Sequence, residues 1–289
     1  MKIQAKGKLL IVLMVFIQVA AGISASDLQS PAQENRATYV GISDNDPTGS
    51  PLISRDGLVA AYDMETLTSE GQLKDYSGNN NHGAIHRTTP VNGVFGQARQ
   101  FSTVNDYIDL PENPLFAIDG PLSVAMWVRV HRLGLHQHIV ACDDKFAFWI
   151  TPGNNIRFVD TVGNGFQSAG GIATNMWYSL VGVFKGKAGD TLTADNIAVF
   201  IDGKPVPGEV FGRRRRGSRD KVWSPGILHA QDACYIGFES HQGEWMHQKL
   251  QFEGGIDELL IFSRALTPSE VEVHARRDQK QADGQETQH

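Results

Sequence analysis

DYSGNNNHG at residues 75–83 and GGIDELLIFSRALTPSEV at residues 254–271 decide how this chain is read. The first packs one Asp and three Asn into a turn punctuated by Gly78 and Gly83, and the second sets Asp257 and Glu258 on an apolar strand. Oxygen-bearing side chains at both ends of one domain could together hold a hard cation. Between them lie short runs such as LSVAMWVRV at 122–130, HIVAC at 138–142, KFAFWI at 145–150, WYSLVGVF at 177–184 and NIAVFIDG at 196–203. Runs of this length, separated by Gly, Pro, Asn and Asp, point to an all-β sandwich or barrel rather than a parallel α/β sheet.

Two of the runs, LSVAMWVRV and WYSLVGVF, are apolar on both faces and should be central strands covered on both sides. Asp202-Gly203 is a hairpin signal, because both residues tolerate the positive φ that a tight turn needs. Beyond Phe262, Thr267 can cap a short helix with Pro268 at its first position and Glu270 completing a capping box.

Working outward, the N-terminus has Lys2, Lys6 and Lys8, then an apolar run from Leu9 to Ala21, then small residues at Ser24, Ala25 and Ser26. That order reads as a secretory signal peptide over 1–25, too short for a stable membrane-crossing helix. Residues 26–55 are polar and read as a linker or loosely docked arm, 56–276 as the domain, and 277–289 as a disordered tail. Cleavage removes three Lys and no acid, leaving 23 basic residues of the 26 against 32 acidic ones, so the formal net charge moves from -6 to -9. An acidic exported protein has no overall attraction to nucleic acid or to anionic lipid. The expected location is secreted, periplasmic or cell surface, with no membrane span after cleavage. Cys142 and Cys234 are the only cysteines. In an oxidising compartment they invite a disulfide, and two buried thiols are the alternative.

Pieces of the chain resemble, in order, the laminin-G-like jelly rolls of the concanavalin A-like lectin and glucanase superfamily. They are GLVAAYDME, DYSGNNNHG, VNGVFGQARQFSTVNDYIDLP, LSVAMWVRV, MWYSLVGVF, IAVFIDGKPV, CYIGFE and FEGGIDELLIFSRALTPSEV. The resemblance spans about residues 56–275 and implies two antiparallel sheets with the first and last strands adjacent. It also implies a structural Ca²⁺ between the Asx turn and the last strand. The expected ligands are the carboxylates of Asp75 and Asp257, Asn80 or a neighbouring Asn, and the His82 backbone carbonyl. The alternative is an Asx turn that caps its own backbone without any metal.

Residues 212–231 are longer and more basic than the usual family connection, and HRLGLHQH at 131–138 is rich in His. Arg213, Arg214, Arg215 and Arg216 could bind a sulfated or uronic-acid polyanion, or form a solvated loop or processing site. Trp223 and Trp245 sit in loops, where a Trp either stacks on a sugar ring or anchors its loop by burial. His136 and His138 share one strand face, but no HExxH or similar metal spacing accompanies them. No Glu-x-Asp-x-Glu strand, GxSxG or phosphate loop occurs, and Asp63 with Glu65 is the only acidic pair worth testing for catalysis. The sequence therefore reads as a non-catalytic module for carbohydrate or another extracellular ligand. A glycan-cleaving enzyme of the same superfamily is the alternative.

Overall fold

The structure is a computed structural model that describes residues 53–103, 105–142, 145–212, 221–225, 234–238 and 251–276. The expectations for the leader, the arm up to residue 52, Arg213 to Arg216, Trp245 and the tail lie outside these residues. The strands are β1 (Leu58–Tyr62), β2 (Ala84–His86), β3 (Thr89–Asn92), β4 (Gln97–Phe101), β5 (Tyr107–Leu110), β6 (Leu122–Val130), β7 (Gln137–Cys142) and β8 (Phe146–Ile150). They continue with β9 (Ile156–Asp160), β10 (Gly165–Ser168), β11 (Trp177–Phe184), β12 (Ile197–Ile201), β13 (Lys204–Pro205), β14 (Gly208–Phe211), β15 (Cys234–Ile236) and β16 (Gly254–Phe262). Helix α1 (Pro268–His274) follows.

These strands form two antiparallel sheets, as the jelly-roll expectation requires. The first runs β13-β12-β11-β6-β16-β4-β3, with β1 also paired to β16. The second runs β14-β10-β9-β8-β7-β15-β5-β2. Alternation sends Leu122, Val124, Met126, Val128 and Val130 of β6 into the space between the sheets, where they meet Phe146, Phe148 and Ile150 of β8. Side chains of opposite parity on the first sheet form a second core, in which Ala125, Val181, Leu260 and Phe262 pack under Val271 and Val273 of α1. This cover explains why β6, β11 and β16 are apolar on both faces: they are central strands of a sheet buried on both sides.

Glu270 fastens that cover. The capping box forms, with the Thr267 amide donating to Glu270 Oε2 at 2.9 Å and the Glu270 amide to Thr267 Oγ1 at 3.3 Å. The same carboxylate takes two bonds from the Arg264 guanidinium, at 2.6 and 2.9 Å, and one from the Ser54 amide at 3.1 Å. Ile53, three residues before position 56, is fully buried against this second core. The β12–β13 turn uses Asp202 at φ 49° and Gly203 at φ 79°. Cys142 and Cys234 lie directly opposite each other on β7 and β15, with Cα atoms 3.9 Å apart, and are disulfide-bonded.

Candidate functional site

The Asx turn folds as a self-capping structure. Asp75 Oδ1 accepts from the amides of Ala61 (2.9 Å) and Ser77 (2.8 Å), while Oδ2 accepts from the Ser77 hydroxyl (2.6 Å) and the Asn81 amide (2.9 Å). Asn79 and Asn81 donate to carbonyls of β1, and Asn80 is exposed at φ 57°. His82 Nδ1 accepts from the Asp75 amide at 3.1 Å. The Tyr76 amide bonds the Ala61 carbonyl, so this turn occupies the edge of β1 opposite to β16. Two strand spacings of about 4.8 Å therefore separate the backbones of the turn and β16. Asp75, Asn80 and His82 share one turn, and the structure does not bring Asp257 to it.

Asp257 lies instead where β16 exchanges one neighbour for another. Residues 254–256 pair with β4 and residues 259–262 with β1, and a bulge at Asp257-Glu258 puts Glu258 at φ 49°. Asp257 Oδ2 accepts from the amides of Val94 (2.7 Å) and Phe95 (3.1 Å), and a side chain at Gly93 would collide with it. Oδ1 is buried and has no hydrogen-bond partner among the described residues. Burial, with a smaller contribution from nearby Asp63, pushes this carboxyl up to about 7, against the amides that hold it down. The donor set suits a hard cation better than the Asp75 turn does, because one carboxylate oxygen is uncommitted among the described residues. Among the described residues no three His, Cys, Asp or Glu gather as a metal cluster, so carbonyl and water oxygens would supply most of the shell.

Asp63 and Glu65 serve turns. Asp63 accepts from the amides of Glu65 and Thr66 and from the Thr66 hydroxyl, and Glu65 accepts from the Gln97 amide at 2.6 Å. Trp223 corrects the ligand-platform expectation: it is 0% exposed and stacks on Phe184 with centroids 4.3 Å apart. Asp160 takes the Ser224 amide at 2.7 Å, and Asn164 donates to the Val222 carbonyl, so both sides of Trp223 are pinned while its ring fills the core.

The outward face of the second sheet carries a set of residues that the sequence did not single out. On β5, Ile108 and Leu110 point into the core, while the alternate Tyr107 and Asp109 are half-buried. Register places Asp109 between Ala84 and Tyr235, and Tyr107 beside His86. His86 stacks on Tyr107 at 4.2 Å, and Tyr107, Tyr235 and Phe238 contact one another at 5.3 to 5.9 Å. Burial raises the Asp109 carboxyl, opposed by nearby His86, whose Nε2 is buried without a hydrogen-bond partner among the described residues. Farther across the face, Trp149, Arg157 and Gln167 lie side by side, and Arg157 Nε donates to Gln167 Oε1 at 2.7 Å. His136 and His138 both pack on Trp149, at 4.8 and 4.6 Å, which accounts for their shared face by ring packing. Half-exposed rings interleaved with a carboxylate, an amide and a guanidinium offer flat apolar area together with hydrogen-bond donors and acceptors.

Over residues 101–272 the chain matches a laminin-G-type model of the concanavalin A-like lectin/glucanases superfamily, and it belongs to that superfamily. No curated relative matches it in sequence. Among solved structures it is similar to domain 4 of an extracellular arabinanase from Geobacillus stearothermophilus, in complex with arabinotriose. That match has 21% identity and a TM-score of 0.51, covering 76% of this chain and 98% of that one. The binding domain of Paraclostridial Mosquitocidal Protein 1 is similar at 19% identity and TM-score 0.51, with 76% and 52% covered. Trypanosoma rangeli sialidase in complex with sialic acid is similar at 14% identity and TM-score 0.56, with 86% of this chain but 38% of the sialidase covered. At these identities the likeness is one of fold.

Proposed function

We propose that this chain is an exported, non-catalytic module that binds carbohydrate on the outward face of its second sheet, around Tyr107, Asp109 and Tyr235. The observation that carries the reading is the half-exposed cluster of His86, Tyr107, Tyr235 and Phe238 around a carboxylate. Aromatic rings cost little conformational entropy to order and suit the apolar face of a sugar, while Asp109 can accept its hydroxyls. The arabinanase domain that the chain covers almost end to end was solved with arabinotriose, which supports a glycan ligand. The disulfide and the leader-like N-terminus support export. A structural Ca²⁺ belongs to the reading at Asp257, where the orphaned Oδ1 supports it; Asp63 and Glu65 border the same turn. The Ca²⁺ would neutralise buried charge and tie β16 to the β3–β4 turn. Screening on a glycan array, followed by a reducing-end assay on each hit, tests the function: binding without product is expected, and product formation overturns it.

A further inference from the structure

On the opposite side of the molecule, register aligns Gln100, Gly255, Arg129 and Trp177 in one row across the outward face of the first sheet. The missing side chain at Gly255 matters, because a Cβ there would lie 2.8 Å from Trp177 Cη2. The indole thus lies over the glycine, and the Arg129 guanidinium stacks on it with Cζ 4.9 Å from the ring centroid. Arg129 is half-buried, its Nε has no hydrogen-bond partner, and no carboxylate pairs with it among the described residues. Glu253, which lies near the same strand end, pairs with Arg132 at 3.6 Å. Trp177 also lines a cleft of about 650 Å³, whose other walls include Met176, Tyr178, Asp202, Lys204, Glu272 and Arg276.

We infer that Arg129 and Trp177 form a second binding site, distinct from the face of the second sheet, for a carboxylate-bearing saccharide. A guanidinium held over an indole is oriented by the ring and keeps its terminal N–H groups for a planar anion. A half-buried guanidinium without an acidic partner gains most from an anion that meets it bidentately. The cleft supplies what a sugar attached to that carboxylate needs: aromatic wall from Trp177 and Tyr178, acceptors in Asp202 and Glu272, and a donor in Lys204. A simple carboxylate lacks the body to fill it.

Isothermal titration with a hexuronate oligosaccharide, a sialyl oligosaccharide and the carboxyl-reduced form of the hexuronate tests the site. At least one acidic ligand should bind, and carboxyl reduction should weaken binding at least 10-fold. Arg129→Gln should reduce acidic-ligand affinity at least 10-fold with an unchanged thermal midpoint, whereas Arg129→Lys should retain part of it. Gly255→Ala, which displaces the indole without touching Arg129, should also weaken it. If neither acid binds, if the reduced ligand binds equally well, or if folded Arg129→Gln binds like wild type, the proposal is overturned. Tyr107→Ala separates the two sites: it should leave this binding intact, and losing it there would assign the acidic ligand to the other face.

Discussion

Asp75 and Asp257 lie on opposite edges of β1, and their carboxylates hold different turns. Asp75 is saturated by four donors from its own turn and from β1, whereas Asp257 commits one oxygen to the Val94 and Phe95 amides and leaves the other without a partner among the described residues. Any bound cation should therefore depend on Asp257 alone of the two. Chelator should lower the thermal midpoint of wild type and of Asp75→Asn, and have no effect on Asp257→Asn. Removing the Asp75 cap should itself cost about 1–3 kcal/mol whether or not Ca²⁺ is present. A chelator-insensitive wild type would mean that no structural ion is bound at Asp257.

The disulfide joins neighbouring strands across 92 residues of sequence. Closing a loop of that length restricts the unfolded chain by about 4–5 kcal/mol in the chain-entropy treatment. Cys142→Ser, and the reduced wild type, should each unfold at markedly lower denaturant concentration with native circular dichroism retained beforehand. An unchanged midpoint would show that the two thiols are not bridged in the folded protein.

His274 is fully buried beneath the helix end, where Ser179 Oγ lies 2.8 Å from its Nδ1 and the Glu258 carbonyl 3.4 Å from its Nε2. Burial lowers its pKa from 6.5 to about 4. The folded state thus resists a proton that the unfolded chain accepts, so the contribution is present above pH 6.5 and is lost as pH falls towards 4. The loss is about 3 kcal/mol over that window. At lower pH, Glu270 follows. Burial raises its carboxyl, but bonds from Arg264, Thr267 and Ser54 outweigh this and bring it to about 2. Its contribution is present above the ordinary carboxylate range and is lost as pH falls from about 4.5 towards 2. Asp257, raised to about 7, works in the opposite sense and adds stability as pH falls from about 7 towards 4. In urea titrations the His274 contribution is therefore read as the difference between wild type and His274→Gln, while the Glu270 decline shows in wild type itself. His274→Gln, which keeps hydrogen-bonding capacity without titrating, should remove only the His274 contribution.

Trp223 should behave as core. Trp223→Ala should cost about 3–5 kcal/mol by emptying the space against Phe184 and Phe158, and should leave glycan affinity within about twofold where the variant remains folded. A large loss of affinity at unchanged stability would return this residue to the ligand site.

The fold was legible wherever a local pattern had a local cause. The two-sided apolarity of LSVAMWVRV and WYSLVGVF matches the doubly covered β6 and β11, Asp202-Gly203 turns the hairpin, and Thr267 with Glu270 caps α1. The sites depended on relationships no local pattern carries. His86, Tyr107 and Tyr235 become neighbours only through the register of β2, β5 and β15, and Tyr235 is far from the other two in sequence. The alternation of YIDL over 107–110 was the one available signal, since it leaves Tyr107 and Asp109 on a face opposite the core. A lone Trp in a Pro-bearing loop looks equally suited to solvent or to burial, and only the Asp160 and Asn164 contacts decide for Trp223. Asp75 and Asp257 resemble one cation site because the first and last strands do meet, yet β1 lies between the two carboxylates.

The most direct test of the central claim is calorimetric titration of a neutral oligosaccharide identified on the array into wild type, Tyr107→Ala and Tyr235→Ala, with reducing ends quantified before and after. Wild type should bind saturably without new reducing ends. Each variant should lose about 10-fold in affinity, equivalent to about 1.4 kcal/mol, with folding intact. Undiminished binding in both folded variants, or release of cleaved product by wild type, would contradict the claim.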